Sequence, residues 1–391
     1  MITALISAGV MVAFQVGKAP AALPMLQQEL GIGLVTAGWV VSILNLLAMV
    51  GGTAVGVICD RLGHRGGVVV GLVIAAVASG VGAAADGPGL LLTTRAFEGL
   101  GLMVVAVSVP PLLARLATER DRPMVVGLWG TFMPIGMAMV LIAAPPVLAA
   151  GGWRSLWLAN AVVLLLGGGL LWIVVARLPG RGAAVRAAAR VGAWSGFRRT
   201  ATAAGPVTLG MIFGTYALQY ISLVSLLPLM MVTQGGYGIG ISAVITALVA
   251  AANAVGNVIG AWLLHRHWAP WVLCLAASVL MGVFAPVVYA DGLPDGLRFA
   301  AALSFSLVGG LIPSSLFAAA ARLAPSPDLI GATNGVLMQG SNTGQMLGPP
   351  ALAALVAWAG GWQVAPWLLC LFAAVTAGLS LRLRMLESRG A

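Results

Sequence analysis

The sequence has 391 residues, 60% of them hydrophobic and only 8% charged, with a mean hydropathy of +1.04. A soluble domain carries about 25% charge, so this composition excludes a soluble enzyme, a disordered chain and a disulfide scaffold. The long apolar runs also exclude an outer-membrane barrel of short alternating strands and leave an α-helical integral membrane protein. The net charge of +10 fits a cytoplasmic bias of basic residues better than a nucleic-acid partner, and none is expected. Cys59, Cys274 and Cys370 lie in or beside apolar runs and read as small buried hydrophobes. The run that starts at Ile2 has no basic segment before it and no clear cleavage site after it, so no cleavable signal peptide is expected.

About 20 apolar residues cross a bilayer. Twelve such spans are predicted, at 2–23, 35–58, 67–85, 89–113, 124–149, 155–176, 206–230, 241–264, 268–290, 298–320, 331–357 and 364–381. Prolines interrupt the fifth and eleventh, and Pro349-Pro350 predicts a break or kink in the latter. With the N-terminus inside, 16 arginines fall in cytoplasmic segments and only Arg154 and Arg298 on the opposite face. This split obeys the positive-inside rule and places both termini in the cytoplasm of a bacterial inner-membrane protein. The stretch from Arg177 to Arg199 carries six arginines and no acid. It reads as a cytoplasmic linker (177–204) between halves 1–176 and 205–391, lying on the anionic leaflet or simply solvated.

The halves look like copies. Leu23-Pro24 recurs as Leu227-Pro228 and Gln15 as Gln219, both 204 residues on. Gly136 recurs as Gly344 at 208, and Gly151-Gly152-Trp153 as Gly360-Gly361-Trp362 at 209. Six spans per copy give parallel halves related by a pseudo-two-fold axis along the membrane normal, with a substrate site expected between them.

Between the second and third spans runs Gly56-Val57-Ile58-Cys59-Asp60-Arg61-Leu62-Gly63-His64-Arg65. Gly56 permits close helix approach, Asp60 sits at a helix end, and Gly63 suits a tight turn. The spacing of Gly56, Asp60, Arg61, Gly63 and Arg65 resembles the signature loop of the major facilitator superfamily, although His64 stands where a basic residue is more usual. The resemblance implies twelve helices in two six-helix halves and a gating latch formed by these five residues. The alternative is a charged turn that only fixes topology. The second copy keeps Gly260 but has Leu264 in place of Asp60. Arg95-Ala96-Phe97-Glu98-Gly99 in the fourth span resembles another family motif, as does Gly152-Trp153-Arg154.

Charges inside spans cost about 2.5–3.5 kcal/mol each, which makes Lys18, Arg95 and Glu98 functional candidates. Lys18 and Arg95 fall roughly 7–8 Å below the outer boundary. In the resembled fold the first and fourth spans line the cavity, so the two cations form a candidate anion site. Glu98, one turn from Arg95, can pair with it and carry a coupling proton. Two blander readings stand beside this: Lys18 snorkels to the interface, and Arg95–Glu98 is a static pair. Gln15, Tyr216, Gln219, Tyr220, Asn253, Gln339 and Asn342 supply neutral polarity for substrate. Gly340, Gly344 and Gly348 form a stripe suited to helix packing.

The expected function is secondary transport of a small organic anion or zwitterion by a monomer. The alternative is a drug or amphiphile exporter of the same class. Exporters of the resembled family often carry Gly-Pro-x-x-Gly-Gly in the fifth span; here Met133 and Met137 replace two of those glycines. A membrane enzyme would need catalytic carboxylates or a histidine cluster, and a channel would need a filter or charged ring. No catalytic residue, metal site or cofactor is expected.

Overall fold

The computed structural model describes residues 1–50, 59, 63–118, 125, 129–176, 193–326 and 329–389, and all regular structure among them is helical. In chain order the helices are α1 (Ile2–Leu30), α2 (Leu34–Ser42, continuing through a 3-10 turn at Ile43–Asn45 to Val50), α3 (His64–Gly82), α4 (Pro88–Leu116) and α5 (Phe132–Ala176). There follow α6 (Ala193–Thr202), α7 (Ala204–Thr233), α8 (Ile239–His265), α9 (Pro270–Tyr289), α10 (Asp295–Gly309), α11 (Leu311–Leu323), α12 (Ile330–Ala359) and α13 (Ala365–Arg389). In hydrocarbon each backbone polar group must be satisfied within its own segment, and a helix achieves this.

Nine of these helical stretches among the described residues are long and apolar enough to cross a membrane. One of them, α5, is two arms: Gly151 and Gly152 leave helical geometry, and Gly152 has φ +69°, which glycine alone adopts without strain. Another joins α10 and α11 into one crossing. Dividing α5, and counting Leu34–Val50 and α12, is consistent with the twelve expected spans, of which the second and fifth fall partly outside the described residues. The outward faces carry exposed Val, Leu, Ile and Trp, including Val77, Leu166, Trp172, Val258, Trp358 and Trp367, as contact with acyl chains requires.

One expectation is met only in part. The sequence predicts a break or kink at Pro349-Pro350; there is no break, and α12 continues through both prolines to Ala359. Tight packing supplies the reason, because α2 lies against this point and both prolines are buried. A Cβ at Gly38 would sit 2.9 Å from the Pro349 carbonyl oxygen and from Pro350 Cα. Helix α6 lies within the segment 177–204, with Arg198 and Arg199 exposed, while 177–192 lies outside the described residues.

The glycine stripe of α12 packs on α7. Added Cβ atoms at Gly340 and Gly344 would each lie 2.0 Å from a carbonyl oxygen, of Gly210 and Gly214 respectively. The equivalent contact recurs in the first half, where a Cβ at Gly136 would lie 2.5 Å from the Val10 oxygen. Positions 136 and 344, and positions 10 and 214, are repeat-related at 208 and 204 residues. The second span of one half meets the fifth of the other: α2 lies on α12, and Gly240 of α8 faces Pro145 of α5 at 3.6 Å from its would-be Cβ. Helices α1 and α7 also touch.

The Gly-Gly-Trp repeat forms an elbow in both halves. Trp153 is buried and donates from Nε1 to Glu29 at 2.8 Å. Arg154 stacks over the Trp153 ring, pairs with Glu29 at 2.8 Å and reaches Asp86 at 3.6 Å. In the second half Trp362 is buried and stacks on Tyr289, and Gln363 donates to Asp291 at 2.9 Å. Asp86 and Asp291 are 205 residues apart, so the same tie is made by Arg154 in one copy and Gln363 in the other.

Candidate functional site

The candidate site lies inside the first half, where α1, α3, α4 and the second arm of α5 converge. Apolar neighbours cover its charges completely: Lys18, Arg95 and Glu98 are each 0% exposed. Lys18 Nζ donates to Glu98 Oε1 at 2.7 Å and to Ser79 Oγ at 2.6 Å. It also lies 4.5 Å from the centroid of the Trp157 ring. Ser79 passes its own proton to the Trp157 carbonyl oxygen at 2.8 Å. Arg95 Nη1 meets Glu98 Oε2 at 2.5 Å and the Gln15 carbonyl at 2.8 Å, while Nε donates to the Val40 carbonyl at 2.9 Å. One carboxylate therefore serves two cations, one on each oxygen.

This arrangement answers two expectations. Lys18 does not snorkel to the surface, because its ammonium turns inward to Glu98. Nor do Lys18 and Arg95 stand as two open cations in this conformation, since Glu98 lies between them and none of the three has accessible surface. The i,i+3 pairing of Arg95 and Glu98 is present.

Gln15 is also fully buried and accepts from Asn160 Nδ2 at 3.3 Å. Arg95 Nη2, Gln15 Nε2, Trp157 Nε1 and Asn160 Oδ1 have no hydrogen-bond partner among the described residues. Three of these four are donors. Sequence reasoning missed Ser79, Trp157 and Asn160, whose residue types carry no charge signal. Gln15 offered a clue to the fourth partner helix, because its repeat mate Gln219 also bonds to the sixth span of its half, at Thr376 (3.3 Å).

The expected second-half residues form a separate polar group. Asn253 donates to Tyr216 Oη at 2.8 Å and to the Ser306 carbonyl at 3.0 Å. Tyr216 stacks on Tyr220 at 5.8 Å. Gln219 is fully buried and turned toward Thr215 and Thr376. Gln339 donates to the Met49 carbonyl on the continuation of α2, so it bridges the two halves in this conformation. Asn342, one turn on, is half-buried.

Of the loop motif, Gly56, Asp60 and Arg61 lie outside the described residues. Gly63 begins α3 with φ +94°, and Arg65 sits half-buried in the first turn. Among the described residues no group of three His, Cys, Asp or Glu side chains could hold a metal.

The fold is similar to solved structures across its whole length. A bacterial homologue of the human lysosomal transporter Spinster, in an inward-facing unoccupied conformation, matches 100% of this chain and 95% of its own, with a TM-score of 0.73 and 13% identity. The fucose:proton symporter of E. coli matches 97% and 98%, with a TM-score of 0.69 and 16% identity. At these identities the likeness is one of fold. A galactose-proton symporter of Escherichia coli K12 is 26% identical over 157 residues, 40% of this chain and 33% of its own length. A methylenomycin A resistance protein of Bacillus subtilis is 25% identical over 159 residues, 40% of this chain and 32% of its own. The family model of the Major Facilitator Superfamily matches residues 5–338. This chain is a multi-pass membrane protein that belongs to the Major Facilitator Superfamily of transporters, and it is not an enzyme.

Proposed function

We propose that the protein moves a small organic anion or zwitterion across a bacterial inner membrane by proton-coupled alternating access. The observation that carries this reading is the buried Lys18–Glu98–Arg95 cluster, which holds two cations against one carboxylate at 0% exposure. A net charge of +1 in a low-dielectric site is costly, and an incoming carboxylate would balance it. Arg95 Nη2 and Gln15 Nε2 are donors that such a ligand would engage. Glu98 would release one cation as the ligand arrives, and the coupling proton would be held within the same cluster. The names of two similar proteins, both proton symporters, support the coupling.

The bodies that rock are the halves 1–176 and 205–391, joined by the linker 177–204, with both termini cytoplasmic. Tyr216, Gln219, Tyr220, Asn253, Gln339 and Asn342 serve the second-half wall of the pathway. Gly56, Asp60, Arg61, Gly63 and Arg65 form the latch at the cytoplasmic end. The working unit is a monomer in lipid. Drug or amphiphile export is the second reading, supported by the resistance protein among the similar sequences.

A thermal-shift screen of the purified protein against carboxylates, amino acids and cationic drugs separates the two. A ligand at 100 times its Kd adds about 2.7 kcal/mol of stability. Carboxylates or amino acids should raise Tm, and Lys18→Gln or Arg95→Gln should abolish the shift. A response confined to cationic amphiphiles, or anion transport unimpaired in normally inserted variants, would refute the anion reading.

A further inference from the structure

Of the 20 Lys plus Arg residues in the sequence, Lys18 alone is lysine. Every other basic position, from the cytoplasmic loops to the neighbouring Arg95, is arginine. The single exception occupies a fully buried position bonded directly to a carboxylate. Arginine and lysine differ here in one decisive respect: the guanidinium stays protonated in proteins, whereas an ammonium loses its proton when burial makes its charge costly.

We propose that Lys18, and not Glu98, is the group that takes up and releases the coupling proton, an inference that rests on the proton-coupled reading above. The charge count decides between them. Protonating Glu98 while both cations keep their charge gives a buried +2 and removes the carboxylate that serves Lys18 and Arg95 at 2.7 and 2.5 Å. Such a state leaves two like charges unbalanced in low dielectric. Removing the proton of Lys18 instead leaves the Arg95–Glu98 pair, which is neutral and keeps its contact. The cluster then alternates between +1, with Lys18 as ammonium, and 0, with Lys18 as amine. The proton leaves Nζ for water when the site opens, no other bond is broken, and the cluster attracts an anion only while the proton is aboard.

The surroundings fit this role. From α4, Glu98 and Arg95 are the charged groups that act on Lys18. From α3 and α5 come the hydroxyl of Ser79 and the ring of Trp157, which do not ionise near neutrality. Helices α2, α7 and α8 also touch α1 and bring no charged group to Lys18 among the described residues, and the α7 tyrosines Tyr216 and Tyr220 stack on each other. Arg95 is held by two backbone carbonyls besides Glu98.

A single lysine makes the test free of assignment. The full chain, labelled with ¹³C-lysine and ¹³C-glutamate and held in lipid nanodiscs, is titrated by NMR. The one lysine Cε signal should change with pH in step with transport. The Glu98 carboxyl, assigned by its loss in Glu98→Gln, should stay ionised over the same range. Arg95→Gln should move the lysine midpoint up, because a like charge is lost. A Glu98 signal that titrates while Lys18 stays charged overturns the proposal and leaves proton coupling intact. If neither group titrates between about pH 5 and 9, the coupled reading fails with it.

Discussion

Glu98 should bear more of the first half's stability than either cation it serves, because its two oxygens balance two buried charges. Glu98→Gln leaves both Lys18 and Arg95 uncompensated and should cost about 3–5 kcal/mol, the usual penalty for breaking a buried pair. Lys18→Met leaves a balanced Arg95–Glu98 pair, so its cost should be clearly smaller. Thermal unfolding of both variants in one detergent checks this order, and equal losses would contradict the charge count. Much of this site is legible in the sequence, since a charge at bilayer depth is rare and Lys18, Arg95 and Glu98 are conspicuous there. The i,i+3 spacing also gives the Arg95–Glu98 pair. The Lys18–Glu98 bond is not legible, because it depends on how α1 and α4 cross and which way a long side chain turns. The amides are harder still: Gln339 looks like a cavity residue from its face, yet its donor goes to the Met49 carbonyl across the halves.

Glycines set how closely the helices approach. Gly344→Ala would drive a Cβ to 2.0 Å from the Gly214 carbonyl and force α12 away from α7. The expected cost is about 1–3 kcal/mol, as for other overpacked sites. Gly335→Ala, on the same helix with nothing within 4 Å of the new Cβ, should be neutral or stabilising by about 0.5–1 kcal/mol. Unfolding midpoints of the two variants decide between close packing and mere helix propensity. The stripe at 340, 344 and 348 is readable in the sequence as a packing face, although its partner helix is not. The prolines are only partly readable: Pro349-Pro350 signals a break or kink in an isolated helix, while α2 packs against the same turn and α12 runs on without a break. The elbow is missed for a different reason: Gly-Gly-Trp shows as a repeat, but the acids it binds lie on distant segments, at Glu29 and Asp86.

At the scale of the molecule, the proposed alternating access would require the two halves to separate where they now touch. A Cβ at Gly240 would lie 3.6 Å from Pro145 Cβ, a separation that suits a disulfide. With Cys59, Cys274 and Cys370 replaced by Ser, the pair Gly240→Cys and Pro145→Cys should oxidise readily and arrest transport of the screened ligand. Reduction should restore it. After trypsin cuts the arginine-rich segment at 177–199, the oxidised halves should still migrate together on a non-reducing gel. Undiminished transport by the cross-linked protein would show that α5 and α8 do not part during the cycle.

The two elbows make the halves respond differently to their medium. The first is fastened by ions, Arg154 with Glu29 and Asp86, all at least partly in contact with solvent. The second is fastened by an amide, Gln363 with Asp291. Added electrolyte weakens exposed ion pairs and hardly touches an amide bond. Ionic strength therefore acts unevenly on the two elbows: it loosens the one at Arg154 and spares the one at Gln363.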